Sequence, residues 1–136
     1  MGWECQRCGR LFGKANQSHV CVPAMTVDDY FRDRPPIQRE VYGAVEDHLR
    51  SLGPLIVEAV GVGILFKRRR TFVEVRGRQR WLNLSFMLDH SIDHERINRV
   101  VRWSGHYFCA TRLGTPADVD HTVRAWLTES YATTEP

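Results

Sequence analysis

Three cysteines and a histidine crowd the first 24 residues, as Cys5-Gln-Arg-Cys8-Gly9 and then His19-Val-Cys21, in a segment with few apolar side chains. Such a segment cannot fold by burying itself, so something other than a core must hold it. A C-x-x-C loop lets two thiolates converge on one ion, and a glycine just past the second sulfur relieves the backbone. His19 and Cys21 stand two apart, so on an extended stretch both side chains point to one side and complete a tetrahedron. Three sulfurs and one nitrogen form a soft donor set that suits Zn(II) better than Mg(II) or Ca(II). Four protein ligands close the shell, so the expectation is one structural Zn(II) per chain on Cys5, Cys8, His19 and Cys21. The competing reading is a redox C-x-x-C pair, but that motif opens a helix after a strand, and no strand is expected before Cys5. Cys109, beside Tyr107 and Phe108, reads as a buried small hydrophobe and not as a fifth ligand.

The rest of the chain is of another kind. Of 136 residues, 43% are apolar, enough for one core that buries roughly two thirds of the unfolded surface. The expected division is a zinc-finger-like segment over 1–24 and an α+β domain over 25–136. The chain has no run of about 18 apolar residues. It opens Met-Gly-Trp-Glu-Cys, so neither a membrane span nor a secretory signal is expected and the chain reads as cytoplasmic.

Pro23 breaks the chain, and Thr26-Val-Asp-Asp29 is a capping pattern that opens a short helix. Pro35 and Pro36 end it and suit the first turn of the next. From Ile37 the apolar positions Val41, Val45, Leu49 and Leu52 recur at helical spacing until Gly53 and Pro54. Then the period shortens. Leu55–Val60, Gly63–Phe66, Thr71–Arg76 and Arg80–Leu88 read as strands, and in the last Leu82, Leu84, Phe86 and Leu88 alternate with Trp81, Asn83, Ser85 and Met87. Ile97–Trp103 and His106–Leu113 are joined by a tight turn at Ser104-Gly105. A last helix opens at Thr115-Pro-Ala-Asp118, with Val119, Val123, Leu127 and Tyr131 as its buried stripe. The expected fold class is α+β: a five- or six-stranded, mostly antiparallel sheet with helices packed on one face, preceded by a small zinc knuckle.

A net charge of +3 does not make the whole molecule a polyanion binder, but the charge is unevenly placed. Lys67, Arg68, Arg69, Arg70, Arg76, Arg78 and Arg80 stand against Glu74 alone, seven minus one or +6, which leaves −3 for the rest. Arginine clamps phosphate well, so these seven are the candidate nucleic-acid-binding residues, with Arg7, Arg10 and Lys14 expected exposed on the knuckle beside them. Arg68–Arg70 and Arg76–Arg80 fall in successive turns, at opposite ends of one strand and roughly 17–20 Å apart, so they form a stripe and not a pocket. The competing reading is a solvated hairpin face, since arginine outnumbers lysine seventeen to two over the chain.

No catalytic residue is assigned. Asp89-His-Ser-Ile-Asp-His-Glu95 gathers titratable groups, yet its composition is that of a solvated loop, and it lacks the signals of a nucleophile elbow or an oxyanion hole. Gly61-Val-Gly63 does not continue into a phosphate-binding loop. His48 and His121 fall on helices and His106 in a strand, where structural roles are the expectation.

Thr26-Val-Asp-Asp-Tyr-Phe31 with Arg34-Pro-Pro36, the stretch Phe66 to Val75, Trp81-Leu-Asn-Leu84, and Pro116-Ala-Asp-Val-Asp120 through Ala125-Trp-Leu127 and Tyr131 resemble the bacterial family named domain of unknown function 5655. The resemblance covers about residues 26–132, and some members are similar at the N-terminus too, with a C-x-x-C-G and a later His-x-Cys. It implies a small bacterial cytosolic α+β domain of no established activity, with the zinc segment as an appendage. The first functional expectation is a non-enzymatic binding module that contacts nucleic acid or a protein partner. A second is a small-molecule-binding protein or small enzyme with a pocket between helices and sheet, using Trp81, Trp103, Tyr107 and His90 or His94. A third is an adaptor whose zinc builds a protein–protein interface.

Overall fold

Alternation dictates the sheet. In the computed structural model, which describes residues 2–19, 21 and 25–134, six strands follow one another: β3 (Ile56–Val60), β4 (Gly63–Lys67), β5 (Thr71–Gly77), β6 (Leu82–Leu88), β7 (Ile97–Trp103) and β8 (His106–Leu113). They form one antiparallel sheet in the order β3-β4-β5-β6-β8-β7. In β6 the side chains of Leu82, Leu84, Phe86 and Leu88 are all fully buried. The break assigned to Pro23 lies outside the described residues.

Two strands precede these, β1 (Trp3–Glu4) and β2 (Leu11–Phe12), paired as a small hairpin. The helices are α1 (Val27–Phe31), α2 (Pro36–Leu52) and α3 (His121–Thr133). Thr26 and Asp29 close a full capping box on α1, and Pro36 occupies the first turn of α2. Val41, Tyr42, Val45 and Leu49 of α2 are fully buried on the sheet, with the Tyr42 ring stacked on Phe66 of β4 at 5.8 Å. Phe86 of β6 stacks on Trp126 of α3 at 5.5 Å. Each such ring or Leu side chain removed from water contributes roughly 1.5–3 kcal/mol. Gly53 ends α2 with φ +149°, and a Cβ there would lie 2.4 Å from the Tyr131 hydroxyl, which donates to the Pro54 carbonyl.

One buried position, two element boundaries and the strand order depart from what local patterning suggests. Ile37 is 39% exposed and Gln38 takes the buried position, because its amide donates to the Arg78 carbonyl at 2.6 Å. The fourth strand begins at Leu82 and not at Arg80, since residues 78–81 make the turn closed by Arg78 N–H to Trp81 O. The box at Thr115–Asp118 closes only one 3-10 turn (Pro116–Asp118). Val119 then leaves the helical region, and α3 starts afresh with Asp120 as its cap, the carboxylate accepting from Val123 N–H at 3.1 Å. Finally, β8 and not β7 lies beside β6. Cys109 to Thr111 and Leu113 are buried, whereas β7 is exposed along nearly all its length, so the apolar arm of the hairpin takes the inside place.

The β5–β6 ladder pairs Val73 with Phe86 and goes no further toward Phe72 and Met87. There the buried Ser130 hydroxyl stands in for the next rung: it accepts from Met87 N–H and donates to Phe72 O, both at 3.1 Å.

Candidate metal centre and basic turns

The N-terminal donors converge. The ligand atoms of Cys5, Cys8, His19 and Cys21 all lie within 4.8 Å of one another, with Cys5 Sγ 3.6 Å from Cys21 Sγ and Cys8 Sγ 3.5 Å from His19 Nε2. Local backbone chemistry explains the convergence. Cys5 N–H donates to Arg10 O at 2.9 Å and Gly9 N–H to Cys5 O at 2.8 Å, a tight knuckle that Gly9 completes with φ +72°. Contrary to expectation a strand does precede Cys5, because β1 pairs with β2 to clamp the base of the loop. No helix follows Cys8, so the arrangement is still not that of a redox C-x-x-C.

His19 Nδ1 donates to Gln17 O at 2.7 Å, which leaves the Nε2 lone pair for a metal ion. The backbone N–H of Cys8 holds the Cys5 thiol down to about 6, so Cys5 is a thiolate near neutrality. Its hydrogen bond with Cys5 pushes Cys21 up to about 11. Such a Cys3His group could hold a metal ion. Cys109 lies apart at 0% exposure in the main core, its thiol pushed up by burial.

Among the described residues the knuckle has a core of Cys5, Cys8 and Phe12, with Trp3 against it. What joins it to the domain is Glu58, a residue the sequence reading did not single out. Glu58 alternates with the core-facing Val57 and Ala59, and its carboxylate rises from β3 on the face away from the helices. It accepts from Leu11 N–H at 2.7 Å, Lys67 Nζ at 2.8 Å and Arg10 Nε at 3.1 Å, and Lys67 donates in turn to Leu11 O at 3.1 Å. Burial pushes the Glu58 carboxyl up, but the bonds from Lys67, Leu11 and Arg10 outweigh it and hold it below its ordinary value. The sequence signal was there: a carboxylate inside the apolar run Ile56–Val60.

Lys67 is thus buried at 9% exposure, and Arg10, expected on the surface, is an ion-pair partner; Arg7 and Lys14 are exposed. Arg68 donates to the carbonyls of Tyr131 at 2.8 Å and Thr134 at 2.5 Å, with its guanidinium 3.9 Å over the Tyr131 ring. It therefore caps the end of α3. Arg70 bonds His106 Nε2 at 2.9 Å, and His106 Nδ1 bonds Asp89 at 2.9 Å. Arg76 pairs with Glu74 on its own strand. Arg69, Arg78 and Arg80 are exposed. The two arginine turns sit at opposite ends of β5, as expected, and the structure does not bring them together.

The loop 89–95 does not assemble a site. His90 is exposed and meets Glu129 of α3 at 2.5 Å, its pKa raised by the Ser91 carbonyl and Glu129. His94 accepts from Arg96 N–H and sets its ring edge on Trp126 at 5.0 Å. His48 bonds Arg124 O and Thr128 across the α2–α3 seam. Trp81 lies under Arg112 at one end of β6, while Tyr107 and Trp103 are at the other, about 20 Å of strand away, so these aromatics do not wall one pocket.

Fold and centre together define an antiparallel α+β domain with an N-terminal Cys3His knuckle. Residues 27–134 match the family described as Domain of unknown function (DUF5655), and the chain belongs to it. No curated protein and no solved structure matches the chain. Among the described residues no helix is long and apolar enough to cross a membrane.

Proposed function

We propose that this protein is a non-enzymatic binding module in which residues 1–24 fold around one structural Zn(II) and the domain 25–136 contacts the phosphate backbone of nucleic acid through its arginine turns. The observation that carries the reading is the charge at those turns. Among the described residues Arg68, Arg69, Arg70, Arg78 and Arg80 have no carboxylate partner; Arg34, Arg99, Arg102, Arg112 and Arg124 have none either, but only at the turns do five such guanidiniums fall within thirteen residues, 68–80. Unneutralised guanidiniums attract phosphate without reading bases. Zinc is supported by the three-sulfur, one-nitrogen donor set, and a structural role by the number of protein donors, four, which fill the tetrahedral shell that a catalytic zinc leaves open at one position. A family match that starts at residue 27 supports the division after the knuckle.

The test is a fluorescence-anisotropy titration of the full chain with single-stranded and duplex oligonucleotides of mixed sequence. Binding is expected to be sequence-tolerant and to fall steeply between about 50 and about 200 mM salt. Salt-independent binding, or none, overturns the reading.

A further inference from the structure

Between the knuckle and the end of β4 lies a groove of about 670 Å³, a size that suits a small ligand or one segment of a chain. The knuckle contributes Gly2, Arg10–Gly13 and Gln17, and the sheet contributes Ile56 and Lys67–Thr71. Five cationic side chains line the groove; Arg10 and Lys67 are paired with Glu58 behind the wall, whereas Arg68, Arg69 and Arg70 have no carboxylate partner among the described residues. Arg68 and Arg70 are held in place by neutral acceptors, two carbonyls and an imidazole, so they are oriented and keep their charge. Arg69 is exposed beside them. The groove offers no open aromatic face, since Phe12 is 7% exposed under Lys67 Nζ at 4.7 Å and against the His19 ring at 4.1 Å. Such a lining favours phosphate over a base.

We infer that this groove is a seat for a phosphate group, and that it exists only while the knuckle is closed on its metal ion. The second part follows from chain order. Arg10 to Gly13 and Gln17, which make the knuckle's wall, lie between the ligands Cys8 and His19, so the ion fixes both ends of the loop that carries them. Glu58 then locks that wall to the sheet through Leu11 and Arg10. A ligand that needs the wall must tighten the hold on the metal in equal measure, because coupling between two sites is reciprocal. This inference rests on the nucleic-acid reading for the source of the phosphate, and on the groove itself for its place.

Two probes separate the groove from that reading: inorganic sulfate, a tetrahedral dianion that does not strip metal, and octathymidylate. NMR of the full metal-loaded chain should show sulfate moving the Arg69 and Arg70 side-chain signals and the Gly13 amide saturably. Arg69→Ala, on an exposed turn, should weaken both probes about tenfold, the loss of one charge-assisted contact. Chelation should weaken them at least as much, and saturating octathymidylate should slow metal transfer to a chelator. Sulfate that saturates without moving these signals, or metal loss that leaves affinity unchanged, overturns the inference. Octathymidylate binding that is weakened by Arg78→Ala with Arg80→Ala but not by Arg69→Ala overturns the groove and leaves the nucleic-acid reading standing. Sulfate seated in the groove with no octathymidylate bound supports the groove and overturns the reading.

Discussion

The knuckle and the domain solve the same problem, ordering a chain in water, by opposite means. Among its described residues the knuckle buries three apolar side chains and brings four donor atoms within 4.8 Å of one another. The domain seals the helix-covered face of its central strands with side chains such as Phe66, Phe86 and Leu84 at 0% exposure. Burial is spread over many weak contacts and tolerates change at its margins, whereas a donor set is all or none. The join between them is of a third kind, a nearly dry carboxylate shared by Leu11, Lys67 and Arg10.

Four experiments sharpen or break this contrast. The largest effect belongs to Cys8→Ser or chelation. Metal content should fall from one ion per chain to none, and the Leu11 and Phe12 amides should lose all protection from exchange while those of Leu84 and Phe86 keep theirs. Loss of protection throughout would show that the domain depends on the knuckle. Next comes Phe86→Ala, which removes a stacked ring from the core and should cost about 3–5 kcal/mol in a denaturant melt, with metal stoichiometry unchanged in the folded fraction. Glu58→Ala strands Lys67 and Arg10 facing each other, and should cost about 3 kcal/mol. Its signature is exchange at Leu11 rising ahead of exchange in β6; if both rose together, the clamp would be part of the core.

The smallest effect comes from the cap of α3. Asp120→Ala should cost about 1 kcal/mol at neutral pH. The Val123 N–H first, and Arg96 after it, hold the Asp120 carboxyl below its ordinary value against the opposing effect of burial. Its folded pKa lies below the unfolded value of about 3.9, so the stabilisation is present above that pH and is lost as pH falls through the folded value. The gap between Asp120→Ala and the native chain should therefore close in acid. A gap that persisted there would assign the loss to packing.

Much of the molecule was written locally. The ligand set is legible because metal chemistry is carried by residue identity and short spacing, and the alternation through Leu82, Leu84, Phe86 and Leu88 announces a half-buried strand wherever it occurs. The box at Thr115–Asp118 was equally legible but misread in extent. A capping pattern marks where a helical turn starts and is silent on how far it runs, and here burial of Val119 and a second cap at Asp120 decide that.

What residues far apart in sequence do to one another needed the tertiary structure. The seven basic residues of the turns look alike as letters, yet Lys67 is buried on Glu58, Arg68 caps α3 and Arg69 is exposed. Period and composition describe a residue's neighbours along the chain. The energy of a charge depends on its neighbours in space, and those are set only when the sheet, the helices and the knuckle have packed.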